Sequence, residues 1–268
     1  MELLRGILSD AIRIPLSAFA GLHPFWSLIP ISVLSGCAFL WVFGRVSNQE
    51  RIRDTKRRLA ARLYELRLFA DEPKLIWQAQ AGLLRDNLSY LAFMLLPAAV
   101  VTLPMVLLLS QLDAFYGYSP LHPREAADVT VQLKEGRALS GSAPALEASE
   151  GFVVETPPVR VLENQQLSWR VRPLRASSGT LLVKLDGASV EKSILAGTAP
   201  RYLSKRRVSS FPDLIRHPAE PAVETPAVAW IEVGYRPAEI AGLHWLVWFA
   251  IISMGTAVVL RKPFQVTF

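Results

Sequence analysis

Cysteine is nearly missing from this chain: Cys37 is the only one in 268 residues. An intrachain disulfide framework is therefore excluded, and so is a cysteine-rich zinc or iron–sulfur centre. The four histidines, His23, His122, His217 and His244, are scattered with no metal-ligand spacing among them. No activated-nucleophile motif, Walker loop, GxGxxG or HExxH is present, and Asp213 with His217 is a pairing found at background frequency. The expectation is a protein that is not an enzyme and that holds no metal or cofactor. Charge is also scarce, at 19% of residues against 51% hydrophobic. That is too apolar for a disordered chain and high for an ordinary cytosolic enzyme.

The scarcity is local. Residues 23–44, 87–112 and 240–260 contain no Asp, Glu, Lys or Arg. Each stretch exceeds the roughly 18–20 apolar residues that cross about 30 Å of hydrocarbon, so three transmembrane helices are expected, at 23–44, 88–112 and 240–260. Aromatic side chains stand near their ends: Trp26 and Trp41, Tyr90 and Phe115, Trp245 and Trp248. Between the first two stretches, residues 45–87 hold ten basic and six acidic side chains. Short loops rich in Lys and Arg stay in the cytoplasm. This places residues 45–87 and the Arg261-Lys262 tail inside, with the N-terminus and residues 113–239 outside, as in a bacterial inner membrane. Leu34-Ser35-Gly36-Cys37 fits a bacterial lipobox. The chain stays apolar after Cys37, however, and cleavage there would remove the anchor of the basic loop, so a packed span is the reading adopted.

Residues 1–22 read as an interfacial amphipathic helix and turn, with Leu3, Leu4, Ile7, Leu8, Ala11 and Ile12 on one face. Residues 45–87 read as a helical hairpin. Ile52, Leu59, Leu63 and Leu66 give the first arm its stripe, and Leu75, Ile76, Ala79, Leu83 and Leu84 give the second, which continues into the second span. Asp71-Glu72-Pro73 starts that second arm. Arg51, Arg53, Lys56, Arg57, Arg58 and Arg62 form a basic face suited to anionic lipid or to the ribosome. The second span carries Pro97 and Pro104, whose missing donors need protein or water nearby. The spans hold only mild polarity, and Ser35, Thr102, Ser253 and Thr256, with Arg45 at the cytoplasmic end, are the candidates to line a groove. Ser and Thr in spans also serve helix packing, bonding the preceding carbonyl.

Residues 113–239 change character, with frequent prolines and short alternating runs at 129–133, 152–155, 159–162, 167–171, 180–185, 189–195 and 228–233. Seven short strands suggest an extracytoplasmic β-sandwich of immunoglobulin-like size, free of disulfides. Residues 136–151 read as a Ser/Ala/Gly loop, and 201–207, with four basic residues, as a surface loop.

The order of elements resembles the YidC/Oxa insertase superfamily, especially its three-span members among archaeal proteins and the third subunit of the ER membrane complex. The cues are Arg-Leu-Tyr-Glu-Leu-Arg-Leu-Phe-Ala-Asp-Glu-Pro-Lys at 62–74 and Leu-Leu-Pro-Ala-Ala-Val-Val-Thr-Leu-Pro at 95–104. The resemblance covers residues 1–112 and 240–262. It implies a lateral groove that eases membrane-protein substrates into the bilayer, within a membrane complex. Bacterial members often carry a groove arginine in the first core span. Here that span has none, and Arg45 is the nearest. The large β-rich insertion is also unlike the minimal members. It leaves open a second reading, a membrane-anchored module whose β-domain binds a partner in an envelope complex.

Overall fold

The computed structural model describes residues 24–68, 72–134, 143–185, 187–197 and 202–266. The expected amphipathic helix within residues 1–22 lies outside these residues. The chain divides into two units, one of residues 28–106 and 248–268, the other of residues 1–27 and 107–247.

Five helices and eleven strands are formed among the described residues. The helices are α1 (Pro24–Val46), α2 (Gln49–Leu68), α3 (Pro73–Tyr116), α4 (Phe211–Arg216) and α5 (Trp245–Leu260). The strands are β1 (Ala127–Leu133), β2 (Ala145–Ala148), β3 (Phe152–Val154), β4 (Val159–Val161), β5 (Gln166–Pro173), β6 (Ser177–Leu185), β7 (Ala188–Ala196), β8 (Arg206–Val208), β9 (Val228–Val233), β10 (Glu239–Ile240) and β11 (Leu243–His244).

Helix starts follow local chemistry. The Asn48 Oδ1 accepts from the Arg51 amide at 3.1 Å, capping α2, and Glu50 in the first turn and Arg67 in the last suit the helix dipole. Pro73 stands at the first turn of α3, where its missing N–H costs nothing. From there α3 runs 44 residues without a break through Pro97 and Pro104, about 66 Å at 1.5 Å per residue. Two helices, α1 and α3, are long and apolar enough to cross a membrane.

Within the expected third span, 240–260, the helix is shorter than the uncharged stretch. Its first residues form the β10–β11 hairpin, with Ala241 at φ 50° and Gly242 at φ 76° between Ile240 and Leu243. Two successive positive φ values make a type I′ turn, which the apolar run conceals in sequence. Only the 16 residues of α5 remain helical, about 24 Å, less than the hydrocarbon thickness.

In the β-rich unit one sheet has the order β3–β5–β1–β9–β8, with β4 also on β5, and a second has the order β2–β6–β7; neighbouring strands in both sheets run antiparallel. Alternate residues of both sheets enter one core: Val129, Val131, Leu167, Trp169 and Val171 from the first, Leu181, Val183, Leu185, Val190 and Ile194 from the second. Two corrections arise here. Part of the expected 136–151 loop is strand β2, paired with β6 from Ala145↔Lys184 to Ala148↔Leu181. The expected surface loop at 201–207 contributes β8, paired with β9. Arg201 lies outside the described residues.

Candidate functional site

All the residues proposed from sequence as groove or basic face fall in the helical unit. In the hairpin α2 lies against α3. Ile52, Thr55 and Ala79 are buried, and Leu59, Leu66, Ile76 and Leu83 are half-buried. Leu63 and Leu84, expected on the buried stripes, are exposed instead. Their positions fall off the helix face that meets the partner arm.

The basic side chains step along α3 at regular levels. The Arg51 guanidinium sits 6.0 Å from the Phe93 ring centre, and the Lys56 ammonium 5.9 Å from that of Tyr90. Arg58 approaches Asp86 at 3.6 Å and donates to Thr55 Oγ1 at 2.9 Å. Arg62 reaches the other Asp86 oxygen at 3.7 Å and bonds Glu65 at 2.8 Å. Arg62 can cross because Gly82 faces it: a Cβ there would stand 2.8 Å from Arg62 Nε. Arg58 and Arg62 thus share a single carboxylate, Asp86, at a polar notch that Arg85 and Ser89 also line. Arg57 pairs loosely with Asp54 at 3.9 Å, and Arg53 is exposed. Pairs this exposed add little stability, so what they mainly shape is the surface charge.

The candidate groove residues separate into two groups. Ser253 and Thr256 on α5 meet α1 at Gly36, where a Cβ would lie 2.7 Å from the Ser253 carbonyl oxygen and 3.2 Å from Thr256 Cβ. Ser35 is buried next to this crossing. Thr102 is exposed on α3, and Arg45 is exposed at the end of α1, with its guanidinium 5.4 Å from the Trp41 ring centre. Each hydroxyl donates to its own helix: Ser35 to Ile31 O at 2.7 Å, Thr102 to Ala98 O at 2.8 Å, Ser253 to Ala250 O at 3.3 Å and Thr256 to Ile252 O at 2.8 Å. These bonds satisfy the donors without water.

The β-rich unit holds an ionic site that sequence reasoning missed. Lys192 on β7 is completely buried, and its Nζ lies 2.8 Å from Glu220 Oε2. The ammonium also donates to the Ser204 carbonyl at 2.6 Å and the Ser193 carbonyl at 3.1 Å. Glu220 accepts from the Ser193 amide at 2.7 Å and the Ser204 hydroxyl at 2.6 Å. Burial works against the charge on Glu220, but the adjacent ammonium and these donors outweigh it and hold the carboxyl below the usual carboxylate range. Arg207 fastens the same segment by donating to the carbonyls of Pro221, Ala222 and Glu191. Arg206 and Lys205 both pair with Glu232. The basic cluster at 205–207 is therefore engaged internally. A signal existed in the sequence: Lys192 shares the inward parity of Val190 and Ile194.

Among the described residues no group of three or more His, Cys, Asp or Glu is placed to hold a metal ion. No family model matches the chain, and no curated protein or solved structure shows significant similarity to it.

Proposed function

We propose that the protein is a membrane-inserted assembly factor, an insertase that eases membrane segments into the bilayer, with the basic hairpin in the cytoplasm and the β-rich unit on the opposite side. The observation that carries the membrane reading is the exposure of α3: only 6% of its most apolar stretch is buried within the chain. A core helix of a water-soluble protein would bury that surface. The Arg51 and Lys56 contacts sharpen the boundary. Cations at the levels of Phe93 and Tyr90 argue that hydrocarbon begins after Phe93, because a charge at mid-bilayer costs about 2.5–3.5 kcal/mol or more. From Met94 to Tyr116 about 34 Å of helix remains, enough to span.

The insertase reading rests on the order of elements: an apolar helix, a basic two-helix hairpin, and a proline-bearing helix continuous with it. Membrane-protein segments are its substrates, and anionic lipid or the ribosome meets the basic face. A second reading, a membrane-anchored interaction module, is favoured by the Gly36 crossing, where the hydroxyls are already bonded within their helices.

Photo-crosslinkers at Ser35, Thr102 and Ser253 decide between them. Newly made membrane segments should be captured there more often than at Val106 or Ile251. Capture of lipid alone at every position would remove support for the insertase and favour the interaction module.

A further inference from the structure

The side of α3 turned away from α2 carries an apolar seam with a seven-residue repeat. Trp77, Ala81, Leu84, Leu88, Leu91 and Leu95 follow one another at alternating spacings of four and three, and all are exposed. The exposures are large: 73% for Trp77, 64% for Leu84, 59% for Leu88, 55% for Leu91 and 70% for Leu95. Alternation of four and three is the spacing of a left-handed helix pair, in which each seam side chain enters a hole on the facing helix. The residues that meet α2 lie on the other side, among them Ala79, Asp86, Tyr90 and Phe93.

Lipid cannot cover the whole seam. Cations stand at the levels of Tyr90 and Phe93, so the part from Trp77 to Leu91 lies outside the hydrocarbon, along about 21 Å of helix. Because α3 is unbroken from Pro73 to Tyr116, its outer half cannot lie flat on the membrane while its inner half crosses it. Such a stripe in water calls for a protein partner.

We propose that the partner is a second copy of this chain, joined through α3 in a parallel two-fold pair. This inference rests on the membrane-spanning reading of α3. Copies in one bilayer share orientation and depth, so a two-fold axis along the membrane normal brings identical levels together. The occupant must have the same repeat, start outside the membrane and enter it at the same level. A second α3 meets all three conditions. The flanks also permit it: Gln78, Gln80, Asn87 and Ala92 border the seam uncharged, and its charges are confined to Lys74 at the outer end of the repeat and Arg85 at one flank. A seam lined by like charges would repel its own copy.

The test uses the full-length protein in native membranes with Cys37→Ala as background. Leu84→Cys and Leu88→Cys should oxidise to a disulfide-linked species of twice the 29.7 kDa chain mass. Arg53→Cys, exposed on α2, should give at least tenfold less. Differently tagged copies should co-purify in the linked species. Adding Leu84→Glu to Leu88→Cys should cut its dimer yield about tenfold while the variant stays in the membrane. Monomer only at Leu84 and Leu88, where a small thiol reagent still reacts, overturns the proposal. An adduct of another mass, or equal linkage from Arg53→Cys, also overturns it. Extraction of the protein by alkaline carbonate would sink the membrane reading itself. Retention in the membrane with monomers only sinks the seam alone.

Discussion

Lys192 and Glu220 illustrate how one pair can be costly to break and cheap to replace. Removing either partner leaves a charge stranded in the core of the β-rich unit. Lys192→Met or Glu220→Gln alone should destabilise that unit by about 3–5 kcal/mol. The double variant should recover part of the loss, since neither charge then remains. Thermal unfolding of the four proteins of this cycle measures the coupling. The pH dependence has a definite sign. The Glu220 carboxyl titrates lower in the folded chain than in the unfolded one. Its contribution is thus fully present above the unfolded value and is lost as pH falls through the folded one. Between those values wild type should lose stability more steeply than Glu220→Gln. Parallel acid limbs would show that Glu220 does not titrate with folding.

At the scale of elements, the crossing of α1 and α5 depends on one position. A Cβ at Gly36 would stand 2.7 Å from a backbone oxygen, which cannot rotate aside. Gly36→Leu should force the two helices apart and lower the unfolding temperature of the detergent-solubilised protein by several degrees. Gly255→Leu, where an added Cβ meets nothing within 4 Å, should be far milder. Trp169, 2% exposed on β5, is the matching test for the sheets. Trp169→Ala should cost roughly 3–5 kcal/mol. Residues 119–239 expressed alone should give a β-type circular dichroism spectrum unaffected by reducing agent. Most of these elements were legible beforehand. The alternation of 167–171 and 180–185 locates β5 and β6 because period-two burial leaves a direct imprint. Strand β2 left none: Ala-Leu-Glu-Ala has one buried side chain and is held by pairing with β6, which is tertiary information. The I′ hairpin before α5 was hidden because Ile, Ala, Gly and Leu also suit a span.

For the whole molecule, topology is the first quantity to measure. A cysteine placed within 45–68 should be shielded from an impermeant thiol reagent in intact cells, and one within 178–185 should react. The reverse pattern would overturn the orientation and the insertase reading with it. The basic face of the candidate site could be read from composition, since ten basic residues cluster between two uncharged stretches. Which of them share a carboxylate could not. Arg58 and Arg62 meet Asp86 only because α2 folds back on α3 and Gly82 leaves the space. The seam on α3 was half visible, since Leu84 was expected to face the partner arm and instead faces away.

The Lys192–Glu220 pair also has a consequence for the order of events during synthesis. Strand β7 leaves the ribosome well before the segment that carries Glu220, and β9, which sits between β1 and β8, emerges later still. Until Glu220 arrives, β7 cannot turn Lys192 inward without burying a lone ammonium. The nascent sheet therefore keeps one face wet until its last third has been made. A ribosome-bound chain that has emerged as far as residue 215 should expose Lys192 to amine-reactive labels, and one that has emerged as far as residue 245 should hide it. Closure of this unit is thereby timed by the chain itself, so that a half-made copy stays hydrated and open.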